Sequence, residues 1–411
     1  MRWIYYNENA EEAAEREEIV ARIDARWRAF EGKVGELKSL FNQETRWDLP
    51  RWMDDHLRPI HPKIMWEYGP AVCGDGHRLV LTPESARELR PLVDKILERA
   101  PSITGWEFYD ARLPEDLEST QATVSGRASY DIDDFLVRAS VGDKRLIDLC
   151  YYSPNIETAE DEAAFNAAFV ATETLLGENC LDRWIGAIEI RPDPKAGVAG
   201  RGVPRHAIKL DRLKETVDAA IASIRDQLPP TPHHDWAGGA EWTMWKLEPE
   251  PADDFYGQAD LFVGKPPNPA MWIAAHSGSP FDSERFTRCG ETFCYLKIDG
   301  AEGLGNSKFT DKGDIEDALD EALIPRGLGC QVGGGMGLRY AYIDLALTDV
   351  PVAITSIRER LQVGGLPKRS WILFFDSDLA NEWVGVYDDT PEPPGCPNNW
   401  RRGGLAFEAD P

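Results

Sequence analysis

The chain is short of cations. Against 71 Asp and Glu it carries 45 Lys and Arg, a formal net charge of -26 at pH 7. Binding to nucleic acid or anionic lipid is driven by Lys and Arg neutralising negative charge, so this composition argues against both partners. No apolar run comes near the roughly 18 residues that a membrane-crossing helix needs. The first residues lead into acidic helical sequence and not into the apolar core of a signal peptide, which gives the expectation of a cytoplasmic protein. Histidine is scarce, at 7 residues, and the seven cysteines (Cys73, Cys150, Cys180, Cys289, Cys294, Cys330, Cys396) are odd in number and scattered. That is a pattern of reduced thiols. Metal-ligand spacing is missing too: Pro59 interrupts His56 and His61, and Cys289 and Cys294 sit in strand-like sequence. With no P-loop and no Gly-x-Gly-x-x-Gly fingerprint, neither a metal nor an organic cofactor is expected.

What is present begins with bulk. At 411 residues, 42% hydrophobic and with 14 Trp, the chain exceeds one ordinary core and asks for two domains, or one long domain with a repeat. The most informative stretch runs from Gly327 to Leu347, where a glycine cluster feeds directly into alternating, aromatic-rich sequence over 340–347. A strand is predicted there. Residues 293–298 and 371–375 read as strands, and 315–323 and 353–361 as helices with apolar residues at spacings of three and four. These three strands and two helices are read as belonging to a βαββαβ order, a ferredoxin-like unit with one antiparallel sheet and two helices on one face.

The remainder is expected to be α+β as well. A long amphipathic helix over 10–41 carries Ile19, Ile23, Phe30, Val34, Leu37 and Phe41 on one stripe, with Gly32 and Gly35 suggesting a bend or a close approach. Strands over 64–68 and 77–81 flank a Gly-Asp-Gly turn, and Thr82 or Ser85 reads as the cap of the following helix. The division that follows is an N-terminal helical arm (1–62), a first α+β unit (63–195), a connector (196–270), the ferredoxin-like unit (271–390) and an extended tail (391–411). Both sheet units are expected to be mainly antiparallel with helices on one face.

Candidate chemistry is thin. The cluster Gly333-Gly-Gly-Met-Gly337 offers backbone amides for a phosphate, with Gly333 and Gly335 the named positions, yet it precedes a strand where a phosphate loop precedes a helix. A bulged or tight strand connection, where glycine supplies positive φ, is the favoured explanation. His233-His-Asp235 reads as a solvated turn. His276, Ser277, Arg285, Arg288 and Glu291 form the one stretch of polar groups dense enough to line a small-molecule site, although no nucleophile, base and orienter stand in a recognised pattern. Aromatic anchors for a protein partner are Trp3, Tyr5 and Tyr6 in the N-terminal arm and Trp400 in the tail.

The runs Leu319 to Leu323, Gly327 to Gly329, Gly333 to Gly335 and Tyr342 to Leu347 resemble a small βαββαβ domain of uncharacterised bacterial proteins. Pro62 to Pro70 with Trp106 to Tyr109 resembles the opening of a domain of unknown function. The resemblance implies a fold and a bacterial source, and carries no catalytic residues. An acidic two-domain chain of this sort is similar in character to toxin-neutralising immunity proteins. The expectation is therefore a non-catalytic module that binds a basic protein, with a homodimer through the N-terminal helix as a further option. A small-molecule enzyme built around His276 and the Gly333 to Gly337 segment is the alternative.

Overall fold

The computed structural model describes residues 1–6, 10–42, 44–192, 206–236, 242–300, 303–305 and 307–395. Trp400, Cys396 and most of the expected tail lie outside them. Two compact units result, Met1–Arg112 and Leu113–Pro411. Their border falls inside the span read from sequence as one unit, 63–195. Among the described residues no helix is long and apolar enough to cross a membrane.

The first unit opens with α1 (Ala10–Phe41), followed by α2 (Leu49–Leu57), β1 (Met65–Pro70), β2 (His77–Thr82), α3 (Arg90–Glu98) and β3 (Trp106–Tyr109). The stripe of α1 is used inside this unit: Ile23, Trp27, Phe30 and Leu37 are buried in one core with Met53, Leu79, Val93 and Ile96. Trp27 fixes the docking by donating its indole N–H to the Ile96 carbonyl at 2.7 Å. Strand β2 pairs antiparallel with β1 and parallel with β3. Gly32 and Gly35 neither break α1 nor mark a close approach, since a Cβ at either would have nothing within 4 Å. Thr82 does not cap α3. Its hydroxyl accepts from Glu84 N at 2.9 Å in a local turn, and the helix begins only at Arg90.

One cation lies deep in this core. Arg26 is 1% exposed, with its guanidinium 4.7 Å from the Trp27 ring and 5.0 Å from that of Phe30. Its Nε and Nη1 find no hydrogen-bond partner among the described residues. Burial pulls its pKa down to about 10.

The second unit contains two sheets. Its first part comprises α4 (Leu117–Ala128), β4 (Leu136–Val141), β5 (Ile147–Ser153), α5 (Glu162–Leu176), α6 (Glu178–Trp184), β6 (Ile185–Pro192), β7 (Ile208–Lys209) and α7 (Leu213–Asp226), with strand order β6-β5-β4-β7. Only β5 and β6 run parallel. The alanine stripe of α5 (Ala164, Ala167, Ala168, Ala171) lets the helix sit close to Val137, Leu149 and Tyr151.

The second part adds β8 (Trp245–Lys246), β9 (Leu261–Gly264), α8 (Pro269–His276), β10 (Thr292–Asp299), α9 (Lys312–Leu323), β11 (Gly329–Gly337), β12 (Tyr340–Leu347), α10 (Val350–Gly364), β13 (Ser370–Phe374) and β14 (Trp383–Gly385). Its seven strands lie in the order β14-β13-β10-β12-β11-β9-β8, every pair antiparallel. The middle four, β13-β10-β12-β11, are the fourth, first, third and second strands of the βαββαβ unit, which is the ferredoxin-like order. Side chains alternate across β12. Tyr340, Tyr342 and Ala346 pack with Trp272, Met271 and Ala274 of α8 on one face. The opposite residues Ile343, Leu345 and Leu347 are equally buried and belong to the face covered by α9 and α10.

One run unassigned from sequence is a helix, and one local reading changes. The apolar run 271–275 is helical, started by Asn268, whose side chain accepts from Met271 N at 3.1 Å, with Pro269 behind it. The glycine cluster is a strand and not a loop. A Cβ on Gly335 would lie 2.3 Å from Val263 O and 2.5 Å from Leu261 Cδ1; one on Gly333 would meet Pro266 Cα at 3.1 Å. These glycines make room for the protein's own chain. Gly335→Ala is expected to destabilise the second unit by about 1–3 kcal/mol through overpacking. An unchanged urea midpoint would mean that β9 does not press on β11.

Candidate functional site

A cleft of about 540 Å³ opens in the second unit, and Arg183, Arg225, Asp282, Arg288, Glu291 and Asp376 are among its walls. Arg183 comes from α6 and Arg225 from α7. Asp282 caps the short turn Ser283–Arg285 by accepting from Glu284 N at 2.9 Å. Glu291 stands just before β10, and Asp376 follows β13.

Ser283 ties these segments together. Its N–H donates to Asp376 Oδ1 at 2.7 Å, its hydroxyl donates to Asp376 Oδ2 at 2.5 Å, and its Oγ accepts from Phe293 N at 3.0 Å. Burial, and then the negative charge of Asp282, push the Asp376 carboxyl up to about 7. Asp282 is also raised by burial, with Arg183 Nε at 3.5 Å opposing the shift. Arg183 and Arg225 both reach Glu284, each at 3.0 Å.

Glu291 is the counter-example. Burial would raise its pKa, but the ring hydrogen bond and charge of His233, with Thr287, outweigh that and hold it below the usual carboxylate range. The carboxylate accepts from His233 N at 2.8 Å, His233 Nδ1 at 3.0 Å and Thr287 Oγ1 at 2.7 Å. The His233 and His234 side chains are only 9% and 6% exposed. The turn read from sequence as solvated keeps Asp235 exposed but turns both imidazoles inward. Its partner stands 58 residues away, beyond the reach of any local pattern.

Of the five residues grouped from sequence, Arg288 and Glu291 line the cleft. His276 does not. It ends α8 as a buried side chain, with Nδ1 2.8 Å from Trp272 O and Nε2 2.6 Å from Gln258 Oε1, and burial draws its pKa down to about 4. Ser277 Oγ donates to Ala274 O at 3.0 Å, closing the last turn of α8. Arg285 is 1% exposed and donates to Pro280 O at 2.6 Å. Neither Gly333 nor Gly335 borders the cleft.

The aromatic anchors divide likewise. Trp3 is half-buried against the core of the first unit, and Tyr5 is half-buried. Tyr6 is 45% exposed, with the Arg16 guanidinium 3.6 Å from its ring centre. Among the described residues no group of three His, Cys, Asp or Glu is placed to hold a metal ion. Comparison of the chain with protein-family models, curated proteins and solved structures finds no match.

Proposed function

We propose that this chain is a non-catalytic, acidic protein-binding module of the cytoplasm that engages a basic partner, in the manner of an immunity or regulatory protein. The observation that carries the reading is the pair of buried cleft carboxylates, Asp282 and Asp376, both held above their usual range by burial and neighbouring negative charge. A cation brought to the cleft relieves that repulsion, so a Lys or Arg side chain is favoured there. The net charge of -26 acts earlier, by accelerating encounter with a positive surface. A second copy docking on α1 has to use its polar side, because the apolar stripe is already covered.

Calorimetric titration with a Lys- and Arg-rich peptide tests this. Saturable binding at low ionic strength that weakens as salt is added is the expected result. The double variant Glu284→Gln, Asp378→Asn, at cleft positions 46% and 18% exposed, weakens it by roughly two- to fivefold. Absence of binding at low salt, or equal binding of a Glu-rich peptide, refutes the reading.

A small-molecule enzyme is the second reading, and a different histidine now favours it. Glu291 holds His233 Nδ1 at 3.0 Å, which orients the ring and leaves Nε2 as the nitrogen with the lone pair. Turnover in a panel of esters and amides that is lost in His233→Gln, with peptide binding absent, would replace the binding proposal.

A further inference from the structure

A chain of hydrogen bonds links α8 to the middle of the seven-stranded sheet. His276 Nδ1 lies 2.8 Å from the Trp272 carbonyl, and His276 Nε2 lies 2.6 Å from the side-chain amide of Gln258. The other end of that amide is 3.3 Å from Asp344 Oδ1. Asp344 is 0% exposed at the centre of β12, where its register partners are Tyr295 on β10 and Gly333 on β11. Its Oδ2 has no hydrogen-bond partner among the described residues. What covers it explains why: a Cβ on Gly333 would be 3.4 Å from this oxygen, 3.1 Å from Pro266 and 3.2 Å from Pro267. A glycine without a side chain and two prolines without N–H groups supply no side-chain donor and no proline N–H donor.

The donors along the chain can be counted. Nδ1 of His276 faces a carbonyl and must carry a hydrogen. If the ring is neutral, Nε2 is an acceptor, so Gln258 turns its NH₂ toward the ring and its carbonyl toward Asp344. The bond to Asp344 then requires an acid proton on the carboxyl. If the ring is charged, the amide keeps the orientation of the structure, its Nε2 donating to an ionised Asp344 and its Oε1 accepting from His276 Nε2. Either arrangement holds one proton, and burial of both ends favours the neutral one. Once that proton is gone, Gln258 has an acceptor at each end and a donor for only one of them.

We propose that Trp272, His276, Gln258 and Asp344 form a one-proton latch that holds α8 against the inner face of the sheet while the proton is bound and releases it when the proton is lost. The latch stands apart from the binding reading, since none of its members lines the cleft.

The surroundings set where it trips. Burial pushes Asp344 up to about 7, with the Gln258 bond opposing; Lys312 of α9 lowers it and Glu316 raises it. On β10, burial and then the charge of Asp344 raise the Cys294 thiol, and the Tyr295 phenol is raised by burial, Tyr256 and Asp344. Both stay protonated through the relevant range. His276 meets no carboxylate at contact distance and stays neutral above pH 5.

Amide hydrogen exchange over residues 258–276, corrected for intrinsic rates, reads the latch directly. In the full chain, protection should fall by up to about 100-fold between pH 6 and pH 9, two units above the trip point. Asp344→Asn supplies the missing donor permanently, so its segment should stay protected at both pH values. Gln258→Leu cuts the chain and should leave the segment unprotected at both. Infrared difference spectra between the same pH values, taken in the Asp376→Asn background because that carboxyl also titrates near 7, should lose a protonated-carboxyl band that is absent once Asp344→Asn is added. Equal protection of wild type at pH 6 and 9, or an unchanged pH response in Asp344→Asn, overturns the proposal. If Asp344→Asn does not fold, the wild-type exchange profile and the carboxyl band decide it alone.

Discussion

Replacing Arg26 by methionine is expected to raise the stability of the first unit by about 2 kcal/mol. Buried ionic groups exchanged for apolar side chains of similar volume commonly give 1–4 kcal/mol, because the cost of taking the charge out of water disappears. At Arg26 that cost has little to offset it. The guanidinium has no carboxylate partner among the described residues; it meets the ring faces of Trp27, Phe30 and Trp52, the Tyr68 side chain and the sulfur of Met53 at 3.9 Å. Cation-π contacts return about 0.5–2 kcal/mol, which is why the expected gain is not larger. Methionine keeps the volume and a flexible, polarisable stem. Arg26→Ala should move the other way, by leaving a cavity between α1 and α2. Thermal or urea unfolding followed by the first-unit tryptophans separates the cases; a lower midpoint for Arg26→Met would show that the charge itself holds the core together.

Arg26 also shows where sequence reading ends. The apolar stripe over 10–41 was legible because a helix repeats every 3.6 residues, and position 26 sits on that stripe beside Trp27. A pattern of apolar spacing says nothing about a cation admitted to the same face. Most of the ferredoxin-like unit was legible for the same reason, since α9, α10, β10, β12 and β13 are amphipathic or apolar over their own lengths; the glycine-rich β11 was not, and its strand character comes from pairing with β12. Helix α4 was not, because only Thr120 and Val124 are buried along it and its start is fixed by Asp116, which accepts from Ser119 N at 2.8 Å. Helix α6 is one short continuation after Gly177.

The site was legible in part. Arg288 and Glu291 belong to one local stretch and were found together. The partner of Glu291, His233, and the facing carboxyl Asp376 come from segments far away in sequence, and the antiparallel pairing of β10 with β13 brings Asp376 to Ser283. His276 drew attention as the polar end of an apolar run. Its two ring nitrogens face inward, one toward the Trp272 carbonyl a turn earlier in α8 and the other toward Gln258, whose position 18 residues upstream no local pattern reveals.

The second unit should lose stability as the pH rises, the reverse of ordinary acid denaturation. Asp344 and Asp376 have folded pKa values of about 7, against about 4 for an unfolded aspartate. The native state thus keeps protons that the unfolded chain has released. The contribution of these groups is full below about pH 4 and disappears as the pH climbs through 7. His276 acts in the opposite sense. Its folded value of about 4 lies below the unfolded value of about 6.5, so its contribution is full above 6.5 and is lost as the pH falls through 4. Between these limits the two carboxyls outweigh the one imidazole by a single proton, a slope of about 1.4 kcal/mol per pH unit. Above about 6.5 the histidine no longer opposes them, but the native carboxyls are themselves ionising, so the fall levels off as the pH passes 7. From pH 5 to pH 8 the loss should amount to about 3 kcal/mol in total. Glu291 and Asp254, both lowered, titrate below this window and do not reverse the trend. Urea unfolding at pH 5, 6, 7 and 8, read by the tryptophans around α8, gives the curve. A profile that is flat or rises with pH would mean that Asp344 and Asp376 are already ionised in the native protein, whereas the double variant Asp344→Asn, Asp376→Asn should leave only the rising limb of His276.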